Sequence, residues 1–271
     1  MAALVRIVKL GGAVLTRDGC EGLFYWENVR RIVHELLPYC DSCLLIHGTG
    51  LVGKRPAVEN EYFSTGRIPA ANQRLAVGVR NSLRELNRRV LQVLLEAGVR
   101  ALPMDTPQYF EEGGNGLRHS GLAASLAQAT SRGLVPVFYG DLMPQSDGSF
   151  QVISSDAIMS VLVRALRPQE TYMFTDVEGV YGGADGESGR NGAVIRTISE
   201  SNIAQMRRSA RDETDVSGGM GKKVEHALNI ARSCGFCTIA SGLVPGNVAK
   251  VLAGEDVICT RVVSDTQSRS R

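Results

Sequence analysis

An α/β fold, with a largely parallel sheet covered by helices on both faces, is what this sequence predicts, and three observations predict it. Short apolar runs that read as buried strands alternate with longer stretches of helical periodicity. Glycines punctuate the ends of these stretches. The 271 residues, 44% hydrophobic and 21% charged, supply apolar material for one α/β domain or a closely joined pair. Strand and helix in regular turn imply βαβ units with right-handed crossovers.

Along the chain, Val5 to Leu10 reads as the first strand and ends in the turn Gly11-Gly12. Val29, Ile32, Val33, Leu36 and Leu37 recur at helical spacing, which predicts a helix over Asn28 to Tyr39, and Cys43 to His47 is the next strand. The longest helical pattern covers Gln73 to Ala97; Gly98 stops it, and Val99 to Pro103 follows as a strand. Leu122 to Arg132 is helical up to Gly133 and leads into the strand Leu134 to Tyr139. The helices Ala157 to Leu166 and Val224 to Cys234 precede the strands Thr171 to Thr175 and Phe236 to Ala240. Gly182 to Gly192, dense in glycine and polar groups, is expected to be a mobile surface loop, and Ser264 to Arg271 a frayed polar tail. Without an internal repeat, the chain reads as a single domain over 1–271 with a soft functional boundary near residue 167.

The formal net charge of +2, and runs of Lys or Arg no longer than two, argue against a nucleic-acid partner. The stretch Met1 to Lys9 lacks the apolar run of a signal peptide, and no apolar stretch reaches the length of a membrane helix. A soluble, cytoplasmic protein is expected. Two of its features, Cys40 with Cys43 and Cys234 with Cys237, have zinc-like spacing. Each pair spans a helix end and a strand start, where small buried residues are common, so packing cysteines are the reading preferred over metal or redox chemistry.

Parallel sheets bind ligands beyond the carboxyl ends of their strands. Four predicted strand ends carry glycine or acid there: Lys9 to Gly12, His47 to Gly50, Gly140-Asp141 and Thr175 to Gly179. Glycine lets a backbone approach a ligand closely, and amides at a helix start offer donors to anionic oxygens. Neither a Walker P-loop nor the protein-kinase motifs are present.

The order of Lys9 to Gly12, Ile46 to Gly50, Leu83 to Val90, Pro136 to Asp141, Ile153 to Asp156, Thr175 to Tyr181, Asp215 to Lys223 and Gly246 to Glu255 resembles the amino-acid kinase superfamily. The resemblance is strongest to its isopentenyl phosphate kinase and fosfomycin kinase branch, and runs from about Val5 to about Val263. It implies a three-layer αβα sandwich, an acceptor-binding half at about 1–166 and a nucleotide-binding half at about 167–263. It further implies ATP with Mg²⁺, a small phosphate- or phosphonate-bearing acceptor, and a homodimer. By the same resemblance Lys9 and Lys223 flank the transferred phosphoryl group beside the Gly11 and Gly12 amides, and Asp156 holds the lysines in place. Ser217, Gly218 and Gly219 line the nucleotide phosphates, and Thr175, Asp176, Gly179 and Tyr181 belong to the nucleotide pocket. Thr49, Gly50, Lys54, Gly140, Ser154 and Ser155 fall on the acceptor side. No side chain is implied as a metal ligand.

The chemistry agrees with this assignment. Phosphoryl transfer needs in-line positioning and positive charge over developing negative charge, which two lysines converging at one sheet edge supply. Three features depart from the relatives' pattern. By the resemblance Gly48 to Lys54 is a glycine-rich loop, in which Lys54 stands where the relatives carry a histidine that binds the acceptor. Arg17 stands one place from their second N-terminal lysine and takes over its nucleotide contact. The triplet Ser154-Ser155-Asp156 looks more like fosfomycin kinase, whereas Asp215 to Met220 looks more like isopentenyl phosphate kinase. His47 reads as a packed strand-end histidine rather than the missing ligand. The expected activity is isopentenyl phosphate kinase-like; a kinase of fosfomycin or another phosphonate, a carboxylate kinase and a catalytically silent ligand-binding relative remain alternatives.

Overall fold

The computed structural model describes residues 6–113, 116–182, 192–203 and 219–265. Eight strands form the main sheet: β1 (Arg6–Leu10), β2 (Cys43–His47), β4 (Ala101–Pro103), β7 (Val135–Tyr139), β10 (Glu170–Thr175), β11 (Thr197–Ile198), β12 (Phe236–Ser241) and β13 (Cys259–Val263). Their order is β11-β13-β12-β10-β1-β2-β7-β4. Neighbours run parallel except β12 and β13, so β13 and β11 point against the other six.

Helices cover both faces, as continuous apolar strands require. Alternate residues of each strand enter opposite cores. Ile7, Leu44, Ile46, Met173 and Ile239 face α5 (Leu122–Ser131), α6 (Ser155–Leu166) and α7 (Gly219–Cys234). Val8, Leu45, Phe174 and Ala240 face α1 (Gly12–Leu15), α2 (Trp26–Leu36), α4 (Gln73–Glu96) and α8 (Asn247–Ala253). Each fully buried Leu or Ile contributes about 1.5–3 kcal/mol by leaving water. A third, smaller core lies under α3 (Gly50–Glu59), β3 (Arg67–Ile68) and β8 (Asp141–Pro144), and contains Tyr62, Ile68, Val79, Leu83 and Leu142. Among the described residues no helix is long and apolar enough to cross a membrane.

Several elements differ from the sequence expectation. The second helix stops at Leu36 because Pro38, lacking an amide hydrogen, turns the chain into a 3₁₀ segment over Leu37–Ser42. Gly48 to Lys54, expected as a loop, enters a helix at Gly50, where Thr16 Oγ1 accepts a hydrogen bond from Leu51 N at 2.9 Å. α6 and α7 begin earlier than their apolar periodicity does, which places Asp156 and Lys223 on helices rather than before them. The hairpins β5 (Phe110–Gly113) with β6 (Gly116–His119), and β8 with β9 (Phe150–Ile153), were not anticipated. Of the expected Gly182 to Gly192 loop and the polar tail, residues 183–191 and 266–271 lie outside the described residues.

The cysteines pack. Cys40 and Cys234 donate to the helix carbonyls of Leu36 and Ile230 at 3.4 and 3.3 Å. Burial pushes the Cys40 thiol up to about 11, and the Cys43 and Cys237 thiols up to about 12. Among the described residues no three His, Cys, Asp or Glu side chains gather as metal ligands would.

Candidate active site

Alternation along β1 puts Lys9 on the same face as Ile7, toward α6. There Lys9 is only 4% exposed, and a buried ammonium needs a partner. Asp156, in the first turn of α6, supplies it: Lys9 Nζ donates to Asp156 Oδ1 at 2.7 Å. The N-terminus of α6 favours a carboxylate there, and Ser154 Oγ caps that helix by accepting from Ala157 N at 3.1 Å. Burial pushes the Asp156 carboxyl up, but Lys9, with His226 and Lys223 beyond it, pulls harder, and the net direction is down. Lys223 approaches from α7 and donates to Thr175 Oγ1 at 2.9 Å, at the end of β10. Thr175 Oγ1 in turn donates to Asp176 Oδ1 at 3.1 Å.

The first two glycine turns meet between these lysines and α3. A Cβ on Gly12 would overlap the backbone of Gly50, and one on Gly50 would overlap Thr16. Gly50 also has φ of 52°, a left-handed conformation that glycine adopts without strain. Gly11 N is tied to Phe174 O at 2.7 Å, and Gly140 N to His47 O at 3.1 Å.

A cavity of about 970 Å³ joins these parts. Lys9, Gly11, Gly12, Arg17, Thr49, Gly50, Lys54, Gly140, Ser154, Ser155, Asp156, Thr175, Asp176 and Lys223 all line it. Lys54 is exposed on α3 and forms no ion pair among the described residues, whereas its neighbour Arg55 pairs with Asp18. Arg17 donates to Tyr25 Oη at 3.1 Å, with its guanidinium 5.1 Å over that ring. One stretch of the wall is apolar, formed by Ala57, Phe63, Val79, Leu83, Leu142 and Val152.

Gly179 and Tyr181 do not line the cavity. A Cβ on Gly179 would press on Thr260, and Tyr181 bridges to Val194, so this segment packs on β13. Gly219 is the first residue of α7, and Ser217 and Gly218 lie outside the described residues. His47 is buried, bonded to Gly48 O and Asn87 Oδ1 at 3.0 Å each and stacked on Tyr139, and does not line the cavity. The sequence reading marked the strand end Gly140-Asp141 but gave Asp141 no role. Its carboxylate is fully buried at the cavity wall, accepts from Leu142 N at 2.7 Å and Arg80 Nε at 3.3 Å, and is pushed up by that burial. Its signal was present, as the last residue of the Pro136 to Asp141 motif.

Residues 5–240 match the amino acid kinase family. This chain belongs to the amino acid kinase family. Among its relatives in that family, the isopentenyl phosphate kinase of Methanothermobacter thermautotrophicus is 30% identical over 94% of this chain and 98% of that protein. The isopentenyl phosphate kinase of Thermoplasma acidophilum is 29% identical over 84% of this chain and 87% of that protein. A solved isopentenyl phosphate kinase structure matches with a TM-score of 0.77 and 26% identity, covering 95% of this chain and 99% of that one. The carbamate kinase of Giardia lamblia bound to AMP-PNP shares the fold at a TM-score of 0.60 and 14% identity, over 97% and 99% of the two chains. Membership in the amino acid kinase family makes this chain an ATP-using phosphotransferase.

Proposed function

We propose that this chain transfers the γ-phosphoryl group of ATP to a small alkyl monophosphate, isopentenyl phosphate first, and so makes a diphosphate and ADP. One observation carries the reading: the cavity holding Lys9 and Lys223 also has the apolar wall of Phe63, Val79, Leu83, Leu142 and Val152, with Lys54 at its edge. A cationic floor and an apolar wall suit an anionic head on a hydrocarbon tail. The names of the relatives reported above agree with it.

In the reaction an oxygen of the acceptor phosphate bonds to the γ-phosphorus. The bond from that phosphorus to the β–γ bridging oxygen breaks, and ADP leaves with the electron pair. The acceptor is already ionised at neutral pH, so no general base is needed. Lys9 and Lys223 place positive charge beside the transferring oxygens, and Gly12 brings a backbone amide close, whereas the Gly11 amide is committed to Phe174 O. Asp156 keeps Lys9 extended into the cavity. Thr49, Gly50, Lys54, Gly140 and Ser155 serve the acceptor, and Ser154, whose hydroxyl caps α6, serves it through its backbone. Arg17, Thr175 and Asp176 serve the nucleotide. The acceptor half is about 1–166 and the nucleotide half about 167–263. Magnesium takes phosphate and water oxygens by preference, which fits a cavity whose Asp156 is committed to Lys9, and when bound it adds positive charge over the phosphates. Asp176 is the carboxylate on that side. We place the enzyme in the cytoplasm as a homodimer, which light scattering checks.

ADP release, measured over isopentenyl phosphate, dimethylallyl phosphate, fosfomycin and simple alkylphosphonates, tests the reading. The expected order puts the alkyl phosphates first. Fosfomycin first would favour the second reading, a phosphonate kinase, to which the triplet Ser154-Ser155-Asp156 points. Release with none of them would leave a carboxylate kinase or a silent ligand-binding relative.

A further inference from the structure

His226 lies on α7 one turn beyond Lys223 and has no part in the chemistry above. Its Nδ1 is 3.0 Å from Ser160 Oγ on α6, and Ser160 Oγ donates to the Asp156 carbonyl at 3.0 Å. With its single proton given to that carbonyl, Ser160 can only accept from the imidazole, which fixes the Nδ1–H tautomer. Burial, opposed by Asp156, holds the ring below its ordinary basicity, so it is neutral at neutral pH. Around this bond α7 meets α6 through apolar side chains such as Val224, Ala227 and Leu228. Apolar burial is non-directional and tolerates sliding and rotation, whereas a hydrogen bond has a narrow geometry. Lys223 and His226, three residues apart, share one helix face. Whatever fixes the rotation of His226 also fixes Lys223.

We propose that His226 is a positioning residue: through Ser160 it locks the rotation of α7 on α6 and so sets Lys223 against Asp156 and Lys9. The inference rests on the role given to Lys223 in transfer. It extends that role to two side chains that do not line the cavity.

The test uses the full chain with ATP and isopentenyl phosphate. His226→Ala is expected to lower kcat about tenfold with both KM values nearly unchanged, since a small misplacement of a charged group weakens the transition state most. His226→Asn, whose amide can sit where Nδ1 does, recovers most of the loss. Ser160→Ala, which deletes one oxygen, matches His226→Ala, and the double variant is no worse than either single one. A readout without turnover runs beside this: acetic anhydride labelling of Lys223, followed by mass spectrometry. Labelling speeds up in His226→Ala and Ser160→Ala and returns to normal in His226→Asn. Unchanged kcat and labelling in folded variants, additive losses, or an Asn variant no better than Ala would overturn the proposal. An inactive wild type would sink the kinase reading alone, because labelling still decides the role of His226.

Discussion

Removing the Lys9 ammonium takes charge from the cavity and also leaves Asp156 as an unpaired, mostly buried carboxylate. Lys9→Ala and Lys223→Ala are each expected to lower kcat by about a hundredfold or more while the acceptor KM moves far less. Steady-state kinetics decide it, and a near-normal kcat removes that lysine from the transfer step. Lys9→Ala should also destabilise the fold by about 3–5 kcal/mol, the cost of breaking a buried pair from one side. Lys54 makes the opposite kinetic prediction. On the acceptor's non-transferring side it contributes similarly to ground and transition states, so Lys54→Ala raises the acceptor KM about tenfold and leaves the ATP KM unchanged. Lys54→His restores part of the loss, and more of it below pH 6.5, where imidazolium is populated. Lys9, Gly11 and Gly12 were legible because strand, charge and turn are contiguous. A role for Asp141, and Asn87 and His226 altogether, were not, since their partners Arg80, His47 and Ser160 are brought to them only by packing.

Contact between the two glycine turns has a stability consequence that belongs to the elements. Gly98→Ala has open space around it but φ of 84°, so it should cost about 1–2 kcal/mol from backbone strain alone. Gly50→Ala meets the same strain and overlaps Thr16 and the Gly12 carbonyl, so urea denaturation should show a clearly larger loss. Equal losses would mean that the turns can part freely. The long, strongly periodic helices and the buried parallel strands were read correctly because burial writes itself into spacing. The first turns of α3, α6 and α7 were not, because Gly50, Asp156 and Lys223 face the cavity and break the apolar pattern there. β13 was missed for a related reason: Arg261 between Thr260 and Val262 shortens its apolar run, and its direction follows from its neighbours rather than from its own residues.

For the molecule as a whole, His47 predicts how stability depends on pH. Burial holds its ring below the ordinary value of 6.5, partly offset by its bonds to Gly48 and Asn87. The unfolded chain therefore takes up a proton that the folded chain refuses. Its contribution is complete above pH 6.5 and is lost as the pH falls below it, by up to about 1.4 kcal/mol per unit. Melting curves between pH 7.5 and 5 should show this slope, and His47→Gln should make it shallower, leaving the part that His226, lowered by burial in the same way, contributes. ATP with magnesium, binding the folded state alone, should add about 2.7 kcal/mol at a hundred times its Kd. The order of the sheet carries a further consequence, for a chain emerging from the ribosome. β1 is made first, yet one of its two neighbours is β10, whose Glu170 stands opposite Arg6. Likewise β11 finds its partner only when Arg261 and Val262 have been made. A nascent chain can close β1, β2, β7 and β4 early, but one edge of β1 stays open until β10 is made. During that interval the open edge offers unpaired amides and carbonyls to any other strand, so chaperone holdase binding should concentrate on nascent chains stalled between β7 and β10.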